Sequence, residues 1–348
     1  SNAVNDAGSK TESRLRNAVV YTPITLLTKS ASDDDSDESF GSLYDPITTI
    51  RDNYKYKNDV KWTLNGYVSY KFAKKFTVKV DVGYDSRTKK EQRYYGPTTY
   101  YARNTGRPNV PSGSAQTIVT EDVTSKIRNS NTFEYKDKFG RDHNFSLLVG
   151  EETIVNKGEL TTNRGFGYVG NYDVENGEIF NYLGQASYAE ISNYIDPRDN
   201  MLSFFGRVNY DYKHKYSIGA TLRADGSSKF AKGNRWGFFP SAAASWTISN
   251  ESWMENTHNW LDQLKLRYSF GTAGNNNIPT GQIKKEYSAT STTWLSQSTN
   301  YWSAGKIMNN ADLTWETTYT HNIGVDFSFF RSKLSGSLEV YQNDTKDL

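Results

Sequence analysis

Residues 204–249, FFGRVNYDYKHKYSIGATLRADGSSKFAKGNRWGFFPSAAASWTIS, alternate apolar and polar side chains almost without a break. That two-residue period constrains the fold more than any other feature of the chain. Successive side chains of a strand project to opposite faces, so strict alternation marks a strand that meets two different environments. In 202–212, Phe204, Gly206, Val208, Tyr210 and Tyr212 share one face, and Phe205, Arg207, Asn209 and Asp211 share the other. Beyond Lys213-His214-Lys215, Tyr216, Ile218, Ala220 and Leu222 oppose Ser217, Gly219, Thr221 and Arg223, which makes a β-hairpin. The unit recurs. Trp62, Leu64, Val68, Tyr70 and Phe72 pass through Ala73-Lys74-Lys75 into Phe76, Val78, Val80, Val82 and Tyr84. Ile323, Val325, Phe327 and Phe329 pass through Arg331-Ser332-Lys333 into Leu334, Leu338 and Val340. Residues 127–136 and 143–152 form a fourth hairpin, and single strands at 238–248 and 263–271 bring the expectation to about ten antiparallel strands.

The connections fall into two classes. Turns within hairpins are tight, whereas 85–122, 153–201 and 272–313 read as long loops, with a shorter one at 225–237. Soluble sheets rarely carry several structureless loops of that length. Outer-membrane barrels do, with short periplasmic turns at one end and long extracellular loops at the other. Tyr210, Tyr212 and Tyr216 flank a tight turn, where an interfacial aromatic girdle belongs. The competing architecture is a β-sandwich with decorated loops.

Composition narrows the classes further. A mean hydropathy of −0.76, with no apolar run near 18 residues, excludes a transmembrane helix but not a barrel that hides its apolarity in every second residue. Forty-one basic against 39 acidic residues leave no field that points to nucleic acid. The absence of cysteine removes thiolate metal sites, disulfides and cysteine nucleophiles. Ser1-Asn2-Ala3 resembles the scar of a cleaved affinity tag, 4–60 reads as a long loop region, and 61–348 reads as one transmembrane β-barrel segment, so the chain is expected to be a piece of a longer protein.

No motif argues for an enzyme. Gly165, Gly167 and Gly170 match a dinucleotide fingerprint in spacing, but a loop sequence follows where a helix is required. His143, His214, His258 and His321 are scattered without metal-ligand spacing, and there is no nucleophile elbow. Catalytic, metal and cofactor sites are therefore expected to be absent. The acidic run from Asp33 to Glu38 offers oxygen ligands for calcium but lacks the glycine and terminal glutamate of an EF-hand, and a solvated acidic loop is the simpler reading. Trp294, Tyr301 and Trp302 in one long connection, and Tyr94, Tyr95, Tyr100 and Tyr101 in another, are candidates for stacking on substrate or anchoring a partner; the alternative is that they fold the loops onto themselves.

The opening stretch, with LDQLKLRYSFGTAGN at 261–275 and LTWETTYTHNIGVDFSFFRSKLSGSLEVYQNDTKDL at 313–348, closely resembles the SusC/RagA class of TonB-dependent transporters. The earlier hairpins fit that class more loosely. The resemblance implies a Gram-negative outer-membrane barrel of about 22 strands, with an N-terminal plug and a TonB-binding box that this sequence does not contain. It implies a SusD-like surface lipoprotein as partner, glycans or peptides as substrates, outer-membrane lipid around the wall and TonB as the source of energy. Arg223-Ala224-Asp225-Gly226-Ser227-Ser228-Lys229-Phe230 matches a family motif at the outer end of a strand; Asp225-Gly226 suits a turn, and Arg223 and Asp225 are read as structural first and substrate-contacting second.

The expected function is import of a nutrient oligomer, and the alternative is a soluble cell-surface β-sandwich that binds carbohydrate. One observable separates them. In a barrel wall Phe204, Val208, Ile218, Leu222, Val325 and Phe327 are left exposed to lipid, while Arg207, Asn209, Thr221 and Asp326 line the other face. In a sandwich the apolar set is buried against a second sheet.

Overall fold

The computed structural model describes residues 46 to 347, apart from 100–101, 103–106, 169–171, 175, 198, 280, 284–286, 295–296 and 305–308. Among these, one short helix, α1 (Pro46–Arg51), precedes thirteen strands: β1 (Asn53–Phe72), β2 (Phe76–Tyr95), β3 (Gln116–Phe139), β4 (His143–Tyr168), β5 (Ala186–Ile195), β6 (Asp199–Tyr212), β7 (Tyr216–Ser227), β8 (Trp236–Thr247), β9 (Leu261–Asn275), β10 (Tyr287–Trp294), β11 (Gln297–Ala304), β12 (Glu316–Phe329) and β13 (Leu334–Lys346). No helix among them is long and apolar enough to cross a membrane, which leaves crossing to strands.

Eleven strands form one sheet in the order β1-β2-β3-β4-β6-β7-β8-β9-β12-β13, with β5 beside β4. Neighbours in sequence are neighbours in the sheet, which is the expected up-and-down antiparallel wall with eleven strands where about ten were expected. The predicted hairpins hold, and Tyr212 pairs with Tyr216 and Phe329 with Leu334 across their turns.

The expected loops are shorter than their sequence suggests. β2 runs to Tyr95 and β3 begins at Gln116, so 85–122 shrinks to the residues between them. The stretch 153–201 contains the end of β4 and all of β5, 225–237 gives up its start to β7, and 272–313 contains the β10–β11 hairpin, which pairs only with itself. Much of the added strand sequence is polar on both faces, although β5 does carry Ala189, Ile191 and Ile195 on one face. β1 starts at Asn53, inside the stretch expected as loop 4–60.

By internal packing the chain divides into two compact units. The first comprises the chain up to Trp62 with Ser86–Thr124 and Gly158–Ile195. Its described part holds the N-terminal ends of β1 and β3, the C-terminal ends of β2 and β4, and β5. Tyr95, Ala102, Phe166, Ile179 and Phe180 form its buried apolar residues. Asp52 fastens one connection, accepting hydrogen bonds from the backbone N and Oγ1 of Thr98 at 2.8 and 2.7 Å.

The second unit comprises Thr63–Asp85, Ser125–Lys157 and Asp196–Leu348. Register assigns its faces. Arg207 stands opposite Thr221, and Asn209 opposite both Ser146 and Gly219, so the polar set of each strand shares one face. On the other, Phe204, Val208, Ile218 and Leu222 are 50%, 39%, 59% and 55% exposed. Val325 and Phe327 depart from the expectation in being half-buried, while Arg207 and Asn209 are exposed and Thr221 and Asp326 half-buried. No second sheet covers the apolar face among the described residues. The buried cluster Phe230, Phe239 and Trp315 lies where the long connections leave β7, β8 and β12. There Gly237 and Gly274 make room for Phe239: a Cβ on Gly274 would stand 2.0 Å from its ring.

Within this unit the tight turns share one end. Lys136 N donates to Lys75 O, Lys213 N to Asp142 O, Thr247 N to Lys215 O and Phe330 N to Trp260 O. Stacked rings run beside them: Phe72 on Phe76 at 5.3 Å, Tyr212 on Tyr216 at 6.5 Å, Tyr216 on Trp246 at 6.4 Å and Trp260 on Phe329 at 5.9 Å. An aromatic band at the strand ends, flanking an exposed apolar face, is the pattern of a membrane-water interface. Glu251 anchors the band by accepting from Tyr216 Oη at 2.6 Å, Lys215 Nζ at 3.0 Å and Trp246 Nε1 at 3.1 Å. Those donors, Tyr216 first, hold its carboxyl at about 2.

Candidate functional site

The polar face of the second unit carries a dense set of charges, because alternation places Arg207, Asp211, Arg223, Asp225, Arg267 and Asp326 of β6, β7, β9 and β12 there. The charges do not stand alone. Lys79 and Asp81 of β2 pair at 3.2 Å, Arg128 of β3 reaches Asp81 at 2.8 Å and Glu152 of β4 at 4.0 Å, and Arg223 of β7 reaches Glu152 at 3.2 Å and Asp225 at 2.7 Å. This belt crosses the strands as a chain of alternating sign. Arg223 also donates to Ser203 Oγ at 2.9 Å and lies 5.5 Å from the Phe205 ring centroid. Its guanidinium uses both its hydrogen bonds and its flat face.

A second cluster ties β9, β12 and β13. Arg267 donates from Nε and Nη2 to Asp326 at 2.7 and 2.8 Å, and Nη2 also reaches Glu339 at 2.7 Å. Gly324 lies under the guanidinium, where a Cβ would come within 3.1 Å of Nη2. Between the two clusters and the tight turns, Asp137, Asn209, Asp211, Lys265 and Arg267 border a recess of about 820 Å³.

The candidate residues are dispersed over these features. Arg223 and Asp225 pair within β7, with Asp225 buried, and Arg223 carries the link to Glu152 of β4. Tyr301 and Trp302 sit in β11 with 49% and 72% exposure, on opposite faces of the hairpin because they are adjacent in a strand. Trp294 pairs with Gln297 at the hairpin tip. Tyr95 is core of the first unit, so that ring folds its connection onto the unit. Tyr100, Tyr101 and the acidic run Asp33 to Glu38 lie outside the described residues. Gly165 and Gly167 lie within β4, while Gly170 is outside the described residues. His214 is an exposed turn residue 3.0 Å from Asp211. Among the described residues no three acidic or histidine side chains converge as a metal-binding group.

Sequence reasoning missed Glu152, Arg128 and Arg267 as partners. Their only signal was a charge at a polar position of a strand, and the register that joins Glu152 to Arg223, 71 residues apart, cannot be read from spacing.

Comparison with known proteins gives consistent results. A family model described as TonB dependent receptor-like, beta-barrel, matches residues 6–348. TonB-dependent receptor P26 of Formosa agariphila is 29% identical over 328 residues, 90% of this chain and 30% of that protein. TonB-dependent receptor SusC of Bacteroides thetaiotaomicron is 37% identical over 158 residues, 43% of this chain and 15% of that protein. Among solved structures, one of the RagAB peptide transporter superposes with a TM-score of 0.71 at 23% identity, covering 85% of this chain and 31% of that chain. The chain therefore spans less than a third of the length of these relatives.

Proposed function

The chain belongs to the TonB-dependent receptor-like β-barrel family of the outer membrane, and from that premise we propose that it forms part of the wall of a nutrient importer. The cargo is an oligomer, glycan or peptide, taken up with a SusD-like surface lipoprotein and driven by TonB acting on the receptor's N-terminal region. The observation that carries this reading is the exposed apolar face of β6 and β7, opposite a face of paired charges. Lipid satisfies the first, and a watery lumen or plug satisfies the second. The ion-pair belt around Arg223 then serves the wall: it cross-links strands on the lumen side and gives the passing cargo a surface of near-balanced charge. Trp302 and Tyr301 are the candidate contacts for cargo or lipoprotein, exposed on a hairpin whose strands pair only with each other. The family is one of transporters, and the protein's work is binding and passage. A sandwich module for carbohydrate is disfavoured, since Val208 and Ile218 would then lie in a core.

The test is uptake of labelled oligosaccharides and peptides by cells that carry the full-length receptor or lack it. Receptor-dependent uptake should disappear when the inner-membrane proton gradient is dissipated, and a surface lipoprotein should copurify with the receptor. Uptake that survives uncoupling, or a receptor that purifies without a lipoprotein, would overturn the corresponding half of the proposal.

A further inference from the structure

The tight turns of the second unit break a backbone rule in a way that points to a ligand. A left-handed conformation favours Gly or Asn, because Cβ crowds the following carbonyl. At Gly140 the rule is kept, with φ of 67°. In three equivalent turns it is not. Lys74 has φ of 57°, Lys213 56°, His214 53° and Arg331 58°. All four side chains are exposed. Ala73, Phe330 and Ser332 are left-handed in the same turns, so at four of seven such positions the chain carries an exposed basic or titratable side chain where Gly or Asn is the comfortable choice.

His214 lies 3.0 Å from Asp211, but folding does not use up the lysine and arginine charge. Lys213 approaches Asp142 only at 3.7 Å, and neither Lys74 nor Arg331 has a carboxylate partner among the described residues. Exposed Arg141 and Lys333 add to the same rim and likewise have no such partner there. The rim adjoins the aromatic band described above, so its cations stand at the depth where lipid phosphates lie beside interfacial rings. Rings and long basic side chains together reach both the acyl boundary and the headgroups.

We propose that the tight-turn rim is a binding surface for the phosphate groups of anionic phospholipids in the periplasmic leaflet. Lys74, Lys213 and Arg331 are its central contacts, and Arg141 and Lys333 extend it. A lipid surface is favoured over an acidic protein because the cations are spread along the row of turns beside lipid-facing rings, and of the three central ones only Lys74 borders the recess on the polar face. The inference rests on the outer-membrane placement of the barrel and is independent of what the importer carries.

The experiment uses the full-length receptor in nanodiscs of phosphatidylcholine doped with spin-labelled phosphatidylglycerol or spin-labelled phosphatidylcholine. The comparison variant combines Lys74→Asn, Lys213→Asn and Arg331→Asn, which removes charge while supplying a residue suited to the left-handed turn, so the barrel should fold at least as well. Wild type should enrich phosphatidylglycerol in its lipid shell, and the variant should lose that enrichment, with a decline of up to about fivefold per charge. Raising salt should weaken the wild-type preference toward that of the variant. Equal association of both lipids with wild type, or enrichment unchanged in the folded variant, would overturn the proposal. So would inorganic phosphate at lipid-equivalent concentration abolishing the preference, since that would mark a site for a free anion; a rim that ignores phosphatidylglycerol but retains an acidic periplasmic protein would overturn it in favour of a protein partner.

Discussion

The two compact units use the same strands in opposite ways. In the second unit β2 reads Val78, Val80 and Val82 at every second position, and the matching face of β6 and β7 is left open. In the first unit β2 continues as DSRTKKEQR over 85–93, its unit-one part from Ser86 onward, with no apolar side chain on either face. Ion pairs take over there: across strands, Arg87 with Asp59 at 2.5 Å and Lys55 with Glu91 at 3.7 Å, and from the connection after β2, Arg107 with Glu190 of β5 at 2.8 Å. Alternation marks a strand between two solvents, and its loss marks a strand with water on both sides. One strand can therefore change solvent partway along, and the change in pattern near residue 85 falls where packing divides the units.

The difference is sharpest for charge. Asp225 is buried, and Arg223 is its direct partner, also tied to Glu152. Replacing Arg223 with Met leaves a buried carboxylate uncompensated, which costs about 3–5 kcal/mol. Replacing Arg87 with Met in the first unit breaks an exposed pair and should cost below about 1 kcal/mol. Denaturant unfolding of the full-length receptor in detergent measures both, and equal losses would erase the distinction between the units.

A second contrast concerns the apolar positions. Ile218→Arg places a charge on the face assigned to lipid and should cost about 2–4 kcal/mol if the site lies near the bilayer midplane. Val123→Lys, at an exposed strand position of the first unit, should stay within about 0.5 kcal/mol. Refolding yields into vesicles separate these outcomes. A tolerated Ile218→Arg would remove the lipid assignment.

The same contrast explains what could be read in the sequence. β6, β7, β12 and β13 were legible at their turn ends because one face of each strand is apolar and the turns are tight, while β12 starts seven residues before Ile323 and β13 runs six beyond Val340. β5 and the β10–β11 hairpin were not: the SATSTT of β10 has no large apolar residue at any position, which reads as loop. The strand ends in the first unit were lost for that reason too. At the candidate site, Arg223 and Asp225 were recognisable as a motif, but Glu152 and Arg128 joined them only through register. Within a hairpin the turn sets register, but the pairing of β4 with β6 depends on how two hairpins dock, which has no tight turn to fix it.

The smallest expected effect separates the units by acid. Glu251, in the connection that follows β8, has a carboxyl held at about 2, against 4.5 for the free group, by Tyr216, Lys215 and Trp246. A depressed carboxylate contributes stability that is fully present above about 4.5 and is lost as pH falls toward about 2. The wild-type receptor should therefore lose unfolding resistance in that window, and Glu251→Gln should begin weaker and show a flatter profile. Glu251 is one carboxylate at the strand ends, its side chain 12% exposed, so the change is expected to be modest. Limited proteolysis within the connections 96–115 and 172–185, both in the first unit, should be the same for wild type and Glu251→Gln at every pH. If the variant also altered cleavage there, the two units would not respond to acid independently, and the comparison would have to be redrawn around a single cooperative sheet.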